Sequence, residues 1–197
     1  MVLAHHVVFG AYGFWLPNDP RGSWSDFVGA WDLFRYGGAT KTSSRASVAG
    51  IPHDRARRLA AKAALKYPAV EFSGIQARAV GTGFGDYARN SGLVIWACAI
   101  LPDHVHLVFA RHTLDAEQIV IQLKGQATVR LVAEGIHPFQ HLRDNKGRRP
   151  KCFARVEWKV HLSSVDDILR AIRYVEENPL KEGKKRQAWS FVAPFTV

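Results

Sequence analysis

Two histidines separated by one residue, His104 and His106, lie in a strongly apolar run between Ile100 and Phe109. Successive side chains of a β-strand point to opposite faces, so both imidazoles would share one face while Val105 and Leu107 face a core. Neutral imidazole is a common ligand of divalent metals, and two on rigid backbone need little ordering on binding. The pair therefore predicts a metal site. Two hydrogen-bonded or solvent-facing histidines are the alternative, because the same spacing also arises by chance.

A tyrosine and an asparagine share one face of the last predicted helix. Five apolar residues predict the buried stripe of that helix: Val165, Ile168, Leu169, Ile172 and Val175. At about 100° per residue, Tyr174 lies roughly 200° from Ile172, and Asn178 lies about 40° from Tyr174. The pattern predicts that both point away from the stripe, where a phenol can act as nucleophile and an amide oxygen can assist it. A surface tyrosine of an amphipathic helix is the alternative.

The chain is strongly basic. Its 27 lysines and arginines exceed its 17 acidic residues, which gives a net charge of +10 with neutral histidines. Such a charge attracts polyanions by electrostatic steering and counterion release, so nucleic acid is the leading partner class. The basic residues concentrate on one stripe of a helix capped by Asp54 and in two stretches, 143–151 and 181–186. A merely solubilising surface remains the alternative at each of these places.

Length and composition predict one domain, residues 1–197, because 197 residues with 47% hydrophobic content support a single core. Cys98 and Cys152 form no CxxC pair, and no targeting peptide is evident at the N-terminus. The most apolar run, Leu93 to Leu101, is far too short to span a bilayer. We therefore expect a soluble protein of a reducing cytoplasm, with no membrane partner.

The predicted elements follow the order strand, helix, hairpin, helix, strand, helix. This order predicts an α+β fold, a ferredoxin-like antiparallel sheet with helices packed on one face. Residues 18–53 interrupt it as an irregular, aromatic-rich N-terminal insertion centred on Trp24, Trp31 and Tyr36. The last helix is expected to stop before Pro179, because proline breaks helical hydrogen bonding. Residues 180–197 then form a basic C-terminal tail.

Together these motifs resemble a known family. The run Leu101-Pro102-Asp103-His104-Val105-His106-Leu107-Val108, followed some seventy residues later by Tyr174-Val175-Glu176-Glu177-Asn178-Pro179, resembles the HUH single-tyrosine transposases of the insertion-sequence-200 type. The resemblance is strongest to their REP-associated branch. The segments from Gly13 to Ser23 and from Gln187 to Val192 are also similar to segments of that branch, so the resemblance spans most of the chain.

The resemblance implies an activity and a role for each motif. His104 and His106, with Asn178 as third ligand, would hold Mg²⁺ or Mn²⁺ against a scissile phosphate, and Tyr174 would attack it to give a 5′-phosphotyrosine. The implied protein is a DNA transposase or endonuclease that cleaves and rejoins single-stranded or hairpin DNA in the cytoplasm of a bacterium, acting at the nucleoid; a homodimer is compatible with it. The expected DNA contacts are Arg55, Arg58, Lys62, Lys66, Lys124, Arg148, Arg149, Lys184 and Lys185.

Other functions are compatible with the same residues. A catalytically silent hairpin-binding regulator would keep the scaffold and lose the chemistry, and a metal-dependent phosphoesterase would use water in place of Tyr174. Metal identity also stays open, because Mg²⁺ prefers oxygen ligands to imidazole. Two features depart from the family pattern: the 18–53 insertion, and a strand around Trp158 that lacks the expected Asp or Tyr. Both departures concern the form of the DNA substrate.

Overall fold

A computed structural model of the chain describes residues 1–17, 31–38 and 53–196. Most of the predicted insertion, including Trp24, lies outside the described residues. Within them the elements, in chain order, are β1 (Ala4–Ala11), α1 (Trp31–Phe34), α2 (Arg55–Ala63), α3 (Gly74–Ser91), β2 (Ile95–Ile100), β3 (His104–Ala110), α4 (Ala116–Ala133), β4 (Phe153–Leu162) and α5 (Val165–Lys181). No helix in these ranges is both long and apolar enough to cross a membrane.

The four strands form one antiparallel sheet in the order β2-β3-β1-β4. Strands β2 and β3 are joined by the Pro102-Asp103 turn, while α3 and α4 provide the long connections into β2 and β4. The predicted α+β, ferredoxin-like fold is confirmed. The His104 end of β3 therefore lies beside the end of β1, since His104 pairs with Gly10.

Helices α3 and α4 cover one face of the sheet and enclose the main core. The core strand residues include Val7, Phe9, Val105, Leu107 and Phe109, all at most 1% exposed. They contact apolar residues of the two helices that are also fully buried, such as Phe84, Ile119 and Leu123. Burying a large aliphatic or aromatic side chain stabilises a fold by about 1.5–3 kcal/mol, so this face supplies most of the hydrophobic stabilisation.

Helix α5 packs on the opposite face, so the prediction that the helices lie on one face is wrong for this element. Alternate strand residues there are small and apolar, among them Ala97, Ala99 and Val108, and they contact Ile168 and Val175 of α5. Small side chains leave room for a helix to approach a sheet closely. A sheet that is apolar on both faces needs a covering layer on each side.

Helix α5 ends later in the chain than predicted. Ser164 caps its N-terminus by accepting a hydrogen bond from the Asp167 N–H. The C-terminus passes through Pro179 and ends at Lys181, so the expected stop before proline is wrong. Proline removes only one donor from the ladder, and in the last turn its own carbonyl still accepts from the N–H of Lys184 at 2.9 Å.

The C-terminal segment after α5 returns along the edge strand β2. The Gln187 amide bonds both the N–H and the carbonyl of Ile100, each at 2.8 Å. Further along, the Ala193 N–H donates to the Ile95 carbonyl at 2.9 Å, and the Phe195 ring packs on Trp96 with centroids 4.7 Å apart. Most of the predicted basic tail is thus anchored to the sheet.

Acidification is expected to destabilise the fold through His137, a buried residue in the loop after α4. Its Nδ1 accepts the Phe139 N–H at 3.1 Å, and burial together with the nearby Arg149 charge lowers its pKa to about 4. The unfolded chain takes up this proton near pH 6.5, so the stabilisation is complete above that pH and is lost as pH falls towards 4. We expect the unfolding free energy to drop by about 1–2 kcal/mol from this residue between pH 7 and 5.

Urea unfolding at several pH values measures this loss. His137→Asn is the matched variant, because an asparagine oxygen also accepts an N–H two residues on but does not titrate in this range. The variant should show a flatter pH dependence than the parent. If the unfolding free energy depended on pH equally in the two proteins, His137 would not be the source of the loss.

Candidate active site

His104 and His106 lie side by side on the α5-facing side of β3, as their spacing predicts. Their ring centroids are 4.9 Å apart and both residues are buried. Val105 and Leu107 point to the opposite core. The period of the strand therefore places both imidazoles on the side of the sheet that faces the C-terminal half of α5.

His104 is oriented by the residue before it. Its Nδ1 lies 2.6 Å from the Asp103 carboxylate, which leaves Nε2 as the nitrogen able to bind an ion. A carboxylate on the second nitrogen is a common way to fix the ring orientation and raise the basicity of a metal-binding histidine. The Phe14 ring stacks on the His104 ring, with centroids 4.6 Å apart. Gly10 permits this stacking, because a Cβ there would lie 2.6 Å from the Phe14 Cβ.

His106 is held between two polar side chains. Its Nδ1 lies 3.4 Å from the Nε2 of His6, and its Nε2 lies 3.2 Å from the amide nitrogen of Asn178. Burial, with smaller contributions from the charges of His104, His6 and Lys181, lowers the pKa of His106 well below its usual value. Burial also lowers the pKa of His6 to about 4. Both rings are therefore neutral at pH 7, the form in which imidazole binds a metal.

Tyr174 reaches the same place from α5. Its ring centroid lies 5.6 Å from that of His106 and 5.7 Å from that of His6, and the residue is 37% exposed. The phenol is thus at the solvent-accessible margin of the histidine cluster. Tyr174 and Asn178 of α5 thus lie in one cluster with His106, which is about seventy residues earlier in the chain.

The buried face of α5 differs from the predicted stripe. It contains Ile168, Ala171, Val175 and Asn178, whereas Leu169 is 42% exposed. Asn178 therefore faces the sheet in line with Val175 and does not point away from the apolar stripe. The prediction failed because Asn178, at the end of the apolar face, pairs with His106 on the sheet. Helical periodicity carries no information about a partner on another element.

The donor groups fit a divalent cation. His104, His106 and Asn178 offer two imidazoles and an amide, whose oxygen would face the ion after rotation of the side chain. A second set overlaps with it: one ligand atom each of Asp103, His104 and Glu182 lie within 4.8 Å of one another. The carboxylates of this second set supply the oxygen ligands that Mg²⁺ and Mn²⁺ prefer. His104 is common to both sets.

Three residues of the cluster were missed by the sequence analysis: His6, Asp103 and Glu182. Asp103 directly precedes the histidine pair, and that position was a usable signal for an orienting carboxylate. His6 is central to a strand whose position next to β3 depends on the sheet order. Glu182 enters the site only because α5 continues past Pro179.

Two predicted DNA contacts of α2 lie next to the cluster. Arg58 and Lys62 line a cavity of about 240 Å³ together with Phe14 and Asp103, which both contact His104. Lys62 also forms an exposed ion pair of 2.9 Å with Glu71. The basic side of α2 thus borders the histidine site.

The other predicted DNA contacts are more dispersed. Lys124 is withdrawn from the surface: its ammonium is 3.1 Å from the Ala154 carbonyl and 3.4 Å from Glu157, with a side chain only 11% exposed. This burial leaves it no free surface for a phosphate, so we propose no DNA contact for it. Exposed positions are held by Arg55, Lys66, Arg148, Lys184 and Lys185, whereas Arg149 is half-buried.

Comparison with known proteins gives structural likeness only. No protein-family model matches the chain, and no curated protein sequence matches it significantly. Similar solved structures include a REP-associated tyrosine transposase bound to a REP hairpin, with a TM-score of 0.48, 13% identity and coverage of 91% of this chain and 68% of that chain. A candidate transposase from Deinococcus radiodurans R1 has a TM-score of 0.42 and 13% identity, covering 94% of this chain and 93% of that chain. These low scores carry no conclusion about activity.

Proposed function

We propose that the chain is a metal-dependent DNA strand transferase of the HUH single-tyrosine type, which cleaves and rejoins single-stranded or hairpin DNA. One observation carries the proposal: the ring of Tyr174 on α5, itself 37% exposed, lies against the buried His106 on β3, with 5.6 Å between ring centroids. A phenol beside the neutral imidazoles of His6 and His106 suits nucleophilic attack on a phosphodiester.

The proposed step is a transesterification. The Tyr174 hydroxyl oxygen forms a bond to phosphorus, the bond from phosphorus to the 3′ oxygen breaks, and the phenol proton is balanced by protonation of the departing 3′ oxygen. The product is a 5′-phosphotyrosine and a free 3′-hydroxyl. One ester replaces another, so attack by a 3′-hydroxyl rejoins the strand without an external energy source.

His104 and His106, with Asn178, are the residues proposed to hold the divalent ion, and Asp103 orients His104. When bound, the ion would neutralise charge on the non-bridging oxygens and promote departure of the leaving oxygen. The protein's own contribution is positional: the sheet fixes the imidazoles, and the packing of Val175 on the sheet fixes the phenol. Such pre-organisation reduces the entropic cost of aligning nucleophile and phosphate.

Substrate binding is proposed to follow the basic surface. Arg58 and Lys62 border the cavity beside His104, where a nucleotide next to the scissile phosphate would lie, and Arg148, Arg149, Lys184 and Lys185 would contact the flanking DNA. Contacts to phosphate position a strand without reading its sequence. Binding should therefore weaken steeply as salt concentration rises.

Incubation of the protein with hairpin oligonucleotides bearing single-stranded flanks and Mn²⁺ tests the proposal. We expect a covalent protein–DNA adduct on a denaturing gel, at the 5′ end of the cleaved strand, and no adduct in the presence of EDTA. Cleavage without protein-bound DNA would instead indicate a phosphoesterase with water as nucleophile. Tight, salt-sensitive binding with no cleavage would indicate a silent hairpin-binding regulator.

A further inference from the structure

Lys181, in the last turn of α5, lies against the proposed nucleophile. Its ammonium nitrogen is 4.4 Å from the ring centroid of Tyr174, two helical turns earlier on the same helix. The residue itself is exposed, so the ammonium remains accessible to a ligand. Its sequence position, at the start of the basic stretch 181–186, suggested only a general contact with DNA.

The Lys181 ammonium places a positive charge beside the Tyr174 ring. Within the part of the chain that the structure describes, none of the ion pairs involves Lys181. Its charge acts on His106, where it is one of the smaller contributions that lower the pKa. The ammonium is thus close enough to Tyr174 to act on a group bound beside the phenol.

The surroundings of Tyr174 would otherwise repel a phosphate. The C-terminal end of a helix carries a partial negative charge, and α5 presents this end to the site. The carboxylates of Asp103 and Glu182 add negative charge around His104. A phosphodiester approaching the phenol therefore needs a local cation in addition to any ion bound at the histidines.

We infer that Lys181 binds a non-bridging oxygen of the phosphodiester attacked by Tyr174. The inference rests on the proposed function for the identity of that phosphate. Neighbouring residues at the end of α5 then have separate tasks: Glu182 lies with Asp103 and His104, while Lys181 lies over the nucleophile. Lysine suits this position because its flexible stem lets the ammonium move from the ring to an incoming oxygen.

A scan of neutral linkages tests the contact without requiring cleavage. Both proteins would carry Tyr174→Phe, which keeps the ring beneath Lys181 and cannot form the ester. The probe is a DNA hairpin with single-stranded flanks, in which each flanking phosphate in turn is replaced by an uncharged methylphosphonate. Affinity is measured for the proteins with Lys181 and with Lys181→Gln.

We expect one linkage at which neutralisation weakens binding by about tenfold with Lys181 and by less than about twofold with Lys181→Gln. Lys181→Arg should restore the difference, because it keeps the charge. Arg173→Gln, at an exposed residue of the same helix, serves as the control. It should leave the tenfold effect of neutralising that linkage unchanged. If Lys181 were merely structural, Lys181→Gln would lower the affinity for all probes alike. This equal loss would overturn the inference.

Failure of the two proposals can be distinguished. If Lys181 couples to one linkage but the protein with Tyr174 never forms an adduct, the phosphate contact is correct and the transesterification is wrong. If an adduct forms and no linkage couples to Lys181, the chemistry stands and the contact is wrong. Coupling at a linkage other than the one cleaved would also overturn the inference.

Discussion

Tyr174→Phe is expected to reduce formation of the covalent DNA adduct by about 10³-fold or more, to below detection on a denaturing gel. The change removes only the hydroxyl that is proposed to attack phosphorus. The aromatic ring remains, so its packing against His6 and His106 and its contact with Lys181 are retained. We expect the thermal stability and the DNA affinity to change little.

Tyr87→Phe is the matched control, because Tyr87 is a half-buried tyrosine of α3 that packs on the main core. It should form the adduct at the parental rate. Peptide mapping of the parental adduct should place the DNA on Tyr174. An adduct of undiminished yield with Tyr174→Phe would show that another residue is the nucleophile.

His106→Ala is expected to produce the second large effect, the combined loss of metal binding and of cleavage. The change removes a proposed ligand, so we expect the affinity for Mn²⁺, measured by calorimetry, to fall by at least about 10–100-fold. It also leaves His6 and Asn178 without their partner at 3.4 and 3.2 Å. Unpaired buried polar groups cost about 1–3 kcal/mol, so the unfolding free energy should fall as well.

Because lost stability by itself could lower activity, the variant should be assayed at a temperature at which unfolding curves show it fully folded. His141→Ala, at an exposed histidine of the loop after α4, is the control and should bind Mn²⁺ as the parent does. Parental metal affinity and adduct yield in His106→Ala would rule out this residue as a ligand.

Much of the fold was predictable from local patterns. Period-two alternation from His104 to Phe109 correctly separates the side chains of β3 into an imidazole face and a core face. The capping residues Asp54, Asp115 and Ser164 each accept an N–H at the start of a helix, because short polar side chains satisfy donors that a helix leaves open. Such signals lie within a few residues and are readable without tertiary structure.

The remainder depends on tertiary contacts. His6 enters the site because β1 pairs with β3, and sheet order is not encoded in any single segment. Asn178 and Lys124 are polar residues on helices, and each has a partner on the sheet: His106 for the first and Glu157 for the second. A helical wheel places such residues on the surface, because it counts hydrophobicity and contains no information about distant partners. The roles of Tyr174 and the three proposed ligands stay predictions.

The returning segment after α5 restricts how copies of this protein can assemble. An uncovered edge strand is a template on which a second chain can add a strand. At β2 the Gln187 amide and the backbone of Ala193 already use hydrogen-bonding groups of Ile100 and Ile95. A dimer that continues the sheet through β2 must first displace this segment from the strand. The covered edge thereby protects the protein against open-ended polymerisation along that side.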